Sequence, residues 1–149
     1  MAVTCINLDT ITIIKNSGER EPFRPEKIHQ HVKKACEGLA VLHSSIIMDA
    51  RLKIFDGVRS VDIQNTLIQA AAEKISEQTP DYEIAAGRLL NQKIRKEVYG
   101  RYEPRDFFDE VMRRIDRGYY SRKLLSYSDN EIKEFGALID YDRDNETPY

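Results

Sequence analysis

The feature that most constrains the fold is an apolar pattern of helical period that recurs through the first hundred residues. Its first occurrence falls at positions i, i+4, i+7, i+8 and i+11, on one helical face: Ile28, Val32, Ala35, Cys36 and Leu39. Pro25 suits the first turn of this helix, because its missing N–H needs no partner there. Three further stretches show the same period, so this part of the chain predicts several helices, each with one buried face.

Turn and capping residues mark the ends of the other three helices. Ser44-Ser45 can cap a second helix, which Asp56-Gly57 stops. A third helix opens near Ser60, and its inward-facing residues are expected to be Ile63, Leu67, Ala70, Ala71 and Ile75. A fourth follows the cap and first-turn proline of residues 79–81 and runs towards Tyr99-Gly100.

A short β-hairpin is predicted ahead of the first helix. Residues 10–15 are β-branched and alternating, residues 16–19 supply turn formers, and residues 20–23 can return as a second strand. Pro22 lacks an N–H, so this second strand is short or lies at an edge. The predicted fold class is therefore mainly α: four helices covered by a short N-terminal β-hairpin, followed by two or more further helices.

The chain divides near residue 100. We expect a flexible N-terminus over residues 1–9, a self-contained unit over residues 10–100, and the start of a further helical segment over residues 101–149. This last part carries an aromatic stripe that begins at Phe107 and a capping box from Ser128 to Glu131. Because two helices alone cannot bury such faces, we expect them to pack on the first unit or the natural chain to continue.

Composition and charge exclude several classes of protein. Lys and Arg total 23 and Asp and Glu total 25, a net charge of −2, whereas a general nucleic-acid binder carries excess positive charge. The longest uncharged run has eleven residues, too few to span a bilayer. Cys5 and Cys36 cannot form a disulfide framework or a Cys-x-x-Cys metal site. Residues 1–9 have neither the basic nor the apolar region of a signal peptide, so we do not expect secretion. We expect a cytoplasmic protein without a nucleic-acid or membrane partner.

The residues show no catalytic or metal-binding arrangement. His29 and His31 are two positions apart and point to different helix faces, so we expect them to be solvated or capping. Cys36 lies on an apolar face and is most simply a small core residue. The common glycine-rich phosphate loops are missing from the sequence. We therefore expect this chain alone to be non-catalytic and without a metal site.

Positive charge gathers around the hairpin and the first helix. Lys15 ends the first strand, Arg20 and Arg24 flank the second, and Lys27 lies in the first helical turn. A helix N-terminus adds free N–H groups and a partial positive charge, which together suit an anion. Judged from the residues alone, a solvated basic face is an equal alternative, because Lys and Arg are common on protein surfaces.

From residue 13 onward the sequence resembles the ATP-cone, the nucleotide-sensing domain of ribonucleotide reductases. The likeness covers residues 13–28, 35–38, 56–63, 70–72, 80–82, 85–89 and 95–96. Residues 139–144 resemble the end of the helical segment that precedes the barrel in the aerobic class I large subunit. Each piece is short, and their common order and spacing carry the resemblance over about residues 11–146.

The resemblance implies an allosteric site for ATP or dATP, with Mg²⁺ expected alongside the triphosphate. The cations expected at the phosphates and ribose are Lys15, Arg24, Lys27 and Lys96. The other expected contacts are Glu21 in the pocket wall, Ile13 and Ile28 against the adenine, and the hydroxyl of Ser60.

The likeness departs from enteric members of the family at four positions. Those members carry Arg, Trp and two His where this chain has Asn16, Lys34, Gln64 and Lys93. Asn16, Gln64 and Lys93 stay among the expected nucleotide contacts, and Gln64 and Lys93 can still hydrogen-bond or attract phosphate. The departures leave open whether dATP inhibits and how many nucleotides bind.

The resemblance also implies a parent activity and its partners. The family reduces ribonucleoside diphosphates to deoxyribonucleotides with active-site cysteines that would lie beyond residue 149. In the family ATP permits turnover, and dATP stops it by changing how large subunits associate with the radical-bearing small subunit. The implied partners are the nucleotide, the remainder of the large subunit, and the small subunit or other large subunits.

Three alternatives stay open at this point. A stand-alone helical adaptor or nucleotide-responsive regulator with a degenerate cone would share the same pattern. Nucleotide-sensing DNA-binding repressors begin with a four-cysteine zinc ribbon, but only Cys5 precedes the hairpin here. An anaerobic or adenosylcobalamin-dependent reductase fits the cone, whereas residues 99–144 look more like class I.

Overall fold

The computed structural model describes residues 11–149 of the chain. The expected N-terminal segment of residues 1–9, together with Cys5, lies outside the described residues. None of the helices in residues 11–149 is both long and apolar enough to cross a bilayer.

The predicted hairpin is present. Strand β1 (Thr12–Ile14) pairs antiparallel with β2 (Arg20–Pro22), and Ile13 lies opposite Glu21. Two backbone hydrogen bonds close the tight turn between them. The Lys15 N–H donates to the Glu19 carbonyl at 2.8 Å, and the Gly18 N–H donates to the Lys15 carbonyl at 2.9 Å. This geometry places the charged side chains of the hairpin next to the start of the first helix.

The sequence did not predict the third strand of the sheet. Strand β3 (Val58–Arg59) pairs parallel with β1, so the strand order is β2-β1-β3. A single carboxylate fixes this edge, since Asp56 Oδ1 accepts from both the backbone N–H and the hydroxyl of Thr12, each at 2.8 Å. Gly57 adds a bond from its N–H to the Thr12 carbonyl at 2.8 Å. Its φ of +79° explains why glycine occupies that position.

Four helices share one core with residues of this sheet. Their bounds are Pro25–Ala35 (α1), His43–Arg51 (α2), Ser60–Ala72 (α3) and Asp81–Tyr99 (α4). Their apolar faces enclose a core of nineteen buried residues, in which Ile46 and Val32 are the largest fully buried side chains. Four helices under a small sheet, with two more helices following, confirm the predicted mainly α fold class.

Several local predictions were wrong. Helix α2 ends at Arg51, so Asp56-Gly57 does not stop it as expected. Helix α2 begins at His43, before the serines expected to cap it, and its N-cap residue Leu42 makes no side-chain cap. Ile75 was expected to face inward but is 38% exposed. Helix α3 ends at Ala72, so the helical period that placed Ile75 inward no longer holds there.

Two further helices form a separate small cluster. Helix α5 (Phe107–Asp116) and helix α6 (Asp129–Ala137) are joined through a 3₁₀ helix at Arg122–Ser126. The predicted capping box is confirmed: Ser128 Oγ accepts from the Glu131 N–H at 3.3 Å, and the Glu131 carboxylate accepts from the Ser128 N–H at 2.7 Å.

The last nine residues return to the first unit. This C-terminal tail (residues 141–149) starts with a 3₁₀ helix at Tyr141–Glu146 and lies along α4. Arg88 Nε donates to the Asn145 carbonyl at 2.7 Å, and Arg95 pairs with Asp144 at 2.7 Å. The tail therefore packs on the first unit, while α5 and α6 pack mainly on each other.

Candidate functional site

A cleft of about 600 Å³ opens between the hairpin and the helices. It is bounded by β1 and β2, the first half of α1, the first turns of α3 and the end of α4. Its lining side chains are Ile13, Lys15, Asn16, Ser17, Glu21, Phe23, Arg24, Lys27, Ile28, His31, Ser60, Ile63, Gln64, Leu67, Leu89, Gln92, Lys96 and Tyr102, with Gly100 at the rim. The lining thus combines apolar side chains with charged ones.

The charged side chains of the lining are organised by one carboxylate. Glu21 lies 3.0 Å from the Lys15 ammonium and 3.4 Å from that of Lys27. The pKa of Glu21 is lowered, chiefly by its hydrogen bond from Lys15, and the same contact raises the pKa of Lys15. Glu21 and Lys15 are therefore both ionised at neutral pH. Glu21 keeps two lysines on one side of the cleft that would otherwise repel each other.

Two helix N-termini contribute to the same cleft. Neither the N-cap of α1 (Arg24) nor that of α3 (Arg59) makes a side-chain cap. Their first-turn N–H groups are therefore without the side-chain acceptor that usually satisfies them. Ser60 Oγ donates to Asn16 Oδ1 at 3.2 Å and joins α3 to the hairpin turn. The cleft combines side-chain cations with two positive helix ends, an arrangement suited to a multiply charged anion.

A cluster of polar side chains around Tyr102 forms part of the cleft lining. Tyr102, from the segment after α4, places its ring centroid 4.0 Å from that of His31 on α1. Its hydroxyl accepts from Lys96 Nζ at 3.2 Å and from Gln64 Nε2 at 3.4 Å. Burial, assisted by the nearby Lys96 ammonium, lowers the pKa of His31, so this imidazole is neutral at pH 7. Groups from three helices meet at one phenol.

The lining contains four cationic side chains and a single carboxylate, a net charge of +3 with His31 neutral. Its apolar side chains are Ile13, Phe23, Ile28, Ile63, Leu67 and Leu89. A planar apolar group joined to a polyanion matches both kinds of lining residue. No cluster of three metal-ligating side chains occurs in residues 11–149.

Comparison with known proteins agrees with this geometry. Residues 11–97 match the family described as the ATP cone domain. The chain belongs to the ATP-cone family. The matched residues run from the start of the sheet almost to the end of α4, and so they contain all the lining residues except Gly100 and Tyr102.

The chain is also similar to part of several longer proteins. The ribonucleoside-diphosphate reductase 1 subunit alpha of Escherichia coli K12 is 36% identical over 136 residues, which are 90% of this chain and 18% of that subunit. The subunit alpha of bacteriophage T4 is 38% identical over 143 residues, 95% of this chain and 19% of the relative. That of Synechocystis is 32% identical over 93% of this chain. The chain spans about a fifth of the length of these relatives.

Ten of the eleven residues expected at the nucleotide line this ATP-cone cleft. They are Ile13, Lys15, Asn16, Glu21, Arg24, Lys27, Ile28, Ser60, Gln64 and Lys96. Lys93 is outside the lining, and its ammonium lies 3.6 Å from the Glu97 carboxylate on the next turn of α4. The structure thus brings ten of the expected residues together around one cleft and places Lys93 away from it.

Several lining residues of the ATP-cone cleft were missed. His31 was expected to be solvated or capping, but it is half-buried against Tyr102. Helical spacing could have found it, because it lies four residues after Lys27 on the same face. Gln92 lies four residues before Lys96 and follows in the same way. Tyr102 carried no such signal, since it follows the helix and reaches the cleft only through the path of the chain.

Proposed function

We propose that the cleft binds ATP or dATP as an allosteric effector. The observation that carries the proposal is the convergence of Lys15, Arg24, Lys27 and Lys96 on one cleft that also has apolar lining residues. These four cations come from the hairpin, α1 and α4, so they can surround a triphosphate from several directions. Charge-assisted hydrogen bonds of this kind are stronger than neutral ones.

The other lining residues divide by chemistry. Ile13 and Ile28 offer an apolar surface for the adenine, while Asn16, Ser60 and Gln64 can bond to ribose or phosphate oxygens. Glu21 holds Lys15 and Lys27 in place and can accept from a ribose hydroxyl or an amino group. Lys93 is left out of this set because it lies outside the lining.

We propose that Mg²⁺ arrives bound to the triphosphate. Among the lining residues Glu21 is the sole carboxylate, and two ammonium groups already engage it. Mg²⁺ commonly keeps several waters and binds through substrate phosphates and one or two carboxylates. The donor set of the cleft fits a metal that the nucleotide carries, with no protein cage of its own.

We infer that this chain is the N-terminal part of the large subunit of a class I ribonucleoside-diphosphate reductase. Residues 10–100 form the regulatory domain, and residues 101–149 begin the helical segment that leads to a catalytic barrel. The similarity to subunits alpha from three sources over at least 90% of the chain supports this. The complete cytoplasmic enzyme would make deoxyribonucleotides for DNA synthesis, and this chain alone is non-catalytic.

Regulation then requires a difference in affinity between states. ATP and dATP must favour different assemblies of large subunits, or of large and small subunits, because a ligand that binds two states equally shifts neither. The partners that we propose are therefore the nucleotide, the rest of the large subunit, the small subunit and other large subunits.

Calorimetric titration with ATP and with dATP, both with Mg²⁺, tests the site. Lys15→Ala and Lys96→Ala are each expected to weaken binding by about 1.5–3 kcal/mol, as for hydrogen bonds to charged groups. Lys53→Ala is the matched control, because Lys53 lies outside the cleft and pairs only weakly, at 3.9 Å, with Glu73. Unchanged affinity in both cleft variants would remove the phosphate assignment. Failure of the unaltered chain to bind either nucleotide would favour the adaptor alternative.

A further inference from the structure

Lys96 differs from the other lysines of the cleft. Lys15 and Lys27 are held by Glu21, whereas no carboxylate of residues 11–149 lies within ion-pair distance of Lys96. In the described part of the chain, its one side-chain hydrogen bond goes to the hydroxyl of Tyr102, at 3.2 Å. A lysine on a flexible four-carbon stem loses considerable rotamer entropy when it is fixed. The phenol is the group that reduces its freedom here.

Tyr102 is itself held from several sides. Its ring lies against His31, its hydroxyl accepts from Gln64, and the Lys96 ammonium is 5.2 Å from its ring centroid. Gly100, with φ of +73°, ends α4 and lets the chain turn so that residue 102 returns to the cleft. The next residue, Glu103, lies 3.7 Å from the Lys34 ammonium on α1.

The number of N–H donors on Lys96 determines whether it can still bind phosphate while it contacts Tyr102. An ammonium group has three N–H donors, and the Tyr102 hydroxyl takes one of them. Two donors remain for phosphate oxygens, since Lys96 lines the cleft. The hydroxyl oxygen is neutral, so it orients the cation without cancelling its charge as a carboxylate would.

We propose that Tyr102 is a positioning residue of the ATP-cone cleft, whose hydroxyl holds the Lys96 ammonium ready for the phosphates of the nucleotide. The inference rests on the proposed function, and it adds a residue from beyond the matched family region to that site. A cation that is already oriented loses less freedom on binding, and this raises affinity without a new contact to the ligand.

Tyr102→Phe tests the inference, because it keeps the ring against His31 and removes only the hydroxyl. Affinity for Mg²⁺-ATP is expected to fall about threefold to tenfold, because the Lys96 ammonium remains but is no longer oriented before the nucleotide binds. Affinity for adenosine is expected to stay the same, since adenosine has no phosphate for Lys96 to bind. Tyr127→Phe is the matched control, because it removes a phenol hydroxyl far along the chain from the cleft lining.

A double-mutant cycle separates positioning from a merely structural role. In a Lys96→Ala background, Tyr102→Phe is expected to change ATP affinity by less than about twofold, because the group it acts through is gone. A readout without nucleotide accompanies it: acetylation of Lys96, followed by mass spectrometry, should speed up in Tyr102→Phe while that of Lys53 does not.

The outcomes are distinguishable. If Lys96→Ala weakens ATP binding but Tyr102→Phe has no effect, the positioning role is overturned and the nucleotide site stands. Equal loss of ATP and adenosine affinity in Tyr102→Phe, or an undiminished effect in the Lys96→Ala background, would also overturn it, since the residue would then act on the base or on the fold. If the unaltered chain binds no ATP, the proposed function fails and the inference fails with it.

Discussion

Residues 11–89 contribute nineteen buried side chains to one core, whereas α5, α6 and their connection share only three, Val111, Ile115 and Ile132. In this helical pair large apolar residues stay in solvent, with Phe135 50% and Leu138 81% exposed. Burial of apolar area is the main favourable term in folding. The core of residues 11–99 (the cone) is therefore expected to stabilise it far more than the core of α5 and α6 (the helical pair) stabilises that pair.

The pair relies on charge where the cone relies on burial. The half-buried Glu110 lies 2.6 Å from Arg114, 3.1 Å from Arg113 and 3.8 Å from Arg105. In the cone, Glu21 makes comparable contacts with Lys15 and Lys27, but it lines the cleft and is not part of the buried core. The comparison suggests that dense packing keeps the cone rigid enough to hold a site, while the stability of the pair depends on pH and salt.

Shortening a side chain in the core of the cone should have the largest effect on the free energy of unfolding. Ile46 is fully buried on α2, and Ile46→Ala should lower the free energy of unfolding by about 2–5 kcal/mol, because it loses apolar burial and leaves a cavity. Urea denaturation followed by far-UV circular dichroism measures this change. Met48→Ala is the control on the same helix: Met48 is 67% exposed, and a change within about 0.5 kcal/mol is expected.

If Ile132→Ala, in the core of the helical pair, destabilised the whole chain as much as Ile46→Ala does, the contrast between the two regions would be wrong. One cooperative unit would then contain both. We expect instead that Ile132→Ala increases hydrogen exchange in α5 and α6 and leaves the amides of α2 and α3 protected.

Charge removal in the pair should have the next largest effect. Burial favours a raised pKa for Glu110, but the hydrogen bonds from Arg113 and Arg114 outweigh it, and the pKa lies below its ordinary value of 4.5. A lowered pKa in the folded state means that the contribution is present above pH 4.5 and is lost as the pH falls through the lowered pKa. Glu110→Gln should cost the pair about 1–2 kcal/mol at pH 7, because three arginines lose their shared partner.

Hydrogen-exchange protection factors for the amides of α5 measure this loss, at pH 7 and across the acid range. The variant should start lower at neutral pH and change less on acidification than the unaltered chain. Glu131→Gln is a useful comparison, since that carboxylate caps α6 and leaves the arginine cluster intact. Equal acid sensitivity with and without Glu110 would show that another group controls the pair.

Local signals made much of the cone predictable. Helix α4 ends at Tyr99 before Gly100, as the sequence indicated, although it begins at Asp81 with Pro80 at the N-cap and not with Thr79 as its cap. Strand β3 was missed because two residues carry no alternation, and their pairing depends on Asp56 bonding to Thr12, 44 positions away. Short elements that long-range bonds define have no local signal.

In the candidate site, too, some residues had a local sequence signal and others depended on long-range structure. Lys15, Glu21 and Lys27 lie close together in sequence around one turn, and their meeting followed from the hairpin. Residue type and spacing could not show which of Lys93 and Lys96 lines the cleft. The structure shows that Lys93 instead pairs with Glu97. The position of Tyr102 depended on the turn after Gly100, which the sequence marked only as the end of a helix.

The smallest effect on overall stability is expected where the tail meets the cone. Gly87 on α4 faces the tail, and a Cβ there would overlap the Thr147 carbonyl oxygen. Gly87→Ala should therefore displace residues 141–149 from α4 while the cone stays folded. The loss of tail contacts is offset because alanine favours a helix by about 1 kcal/mol over glycine, so the free energy of unfolding should change by less than about 1 kcal/mol.

Limited proteolysis within residues 141–149 detects the displaced tail, and the unaltered chain should be cut there more slowly. Gly136→Ala provides a matched control, because its new methyl would meet Phe107 inside the helical pair and not the tail. Arg88 would keep its bonds to the Ala35 and Glu37 carbonyls at the end of α1 when the tail leaves, so α1 and α4 should remain joined. A tail that stayed protected in Gly87→Ala would mean that α4 can shift to admit a methyl group, and the cone would then be less rigid than its core implies.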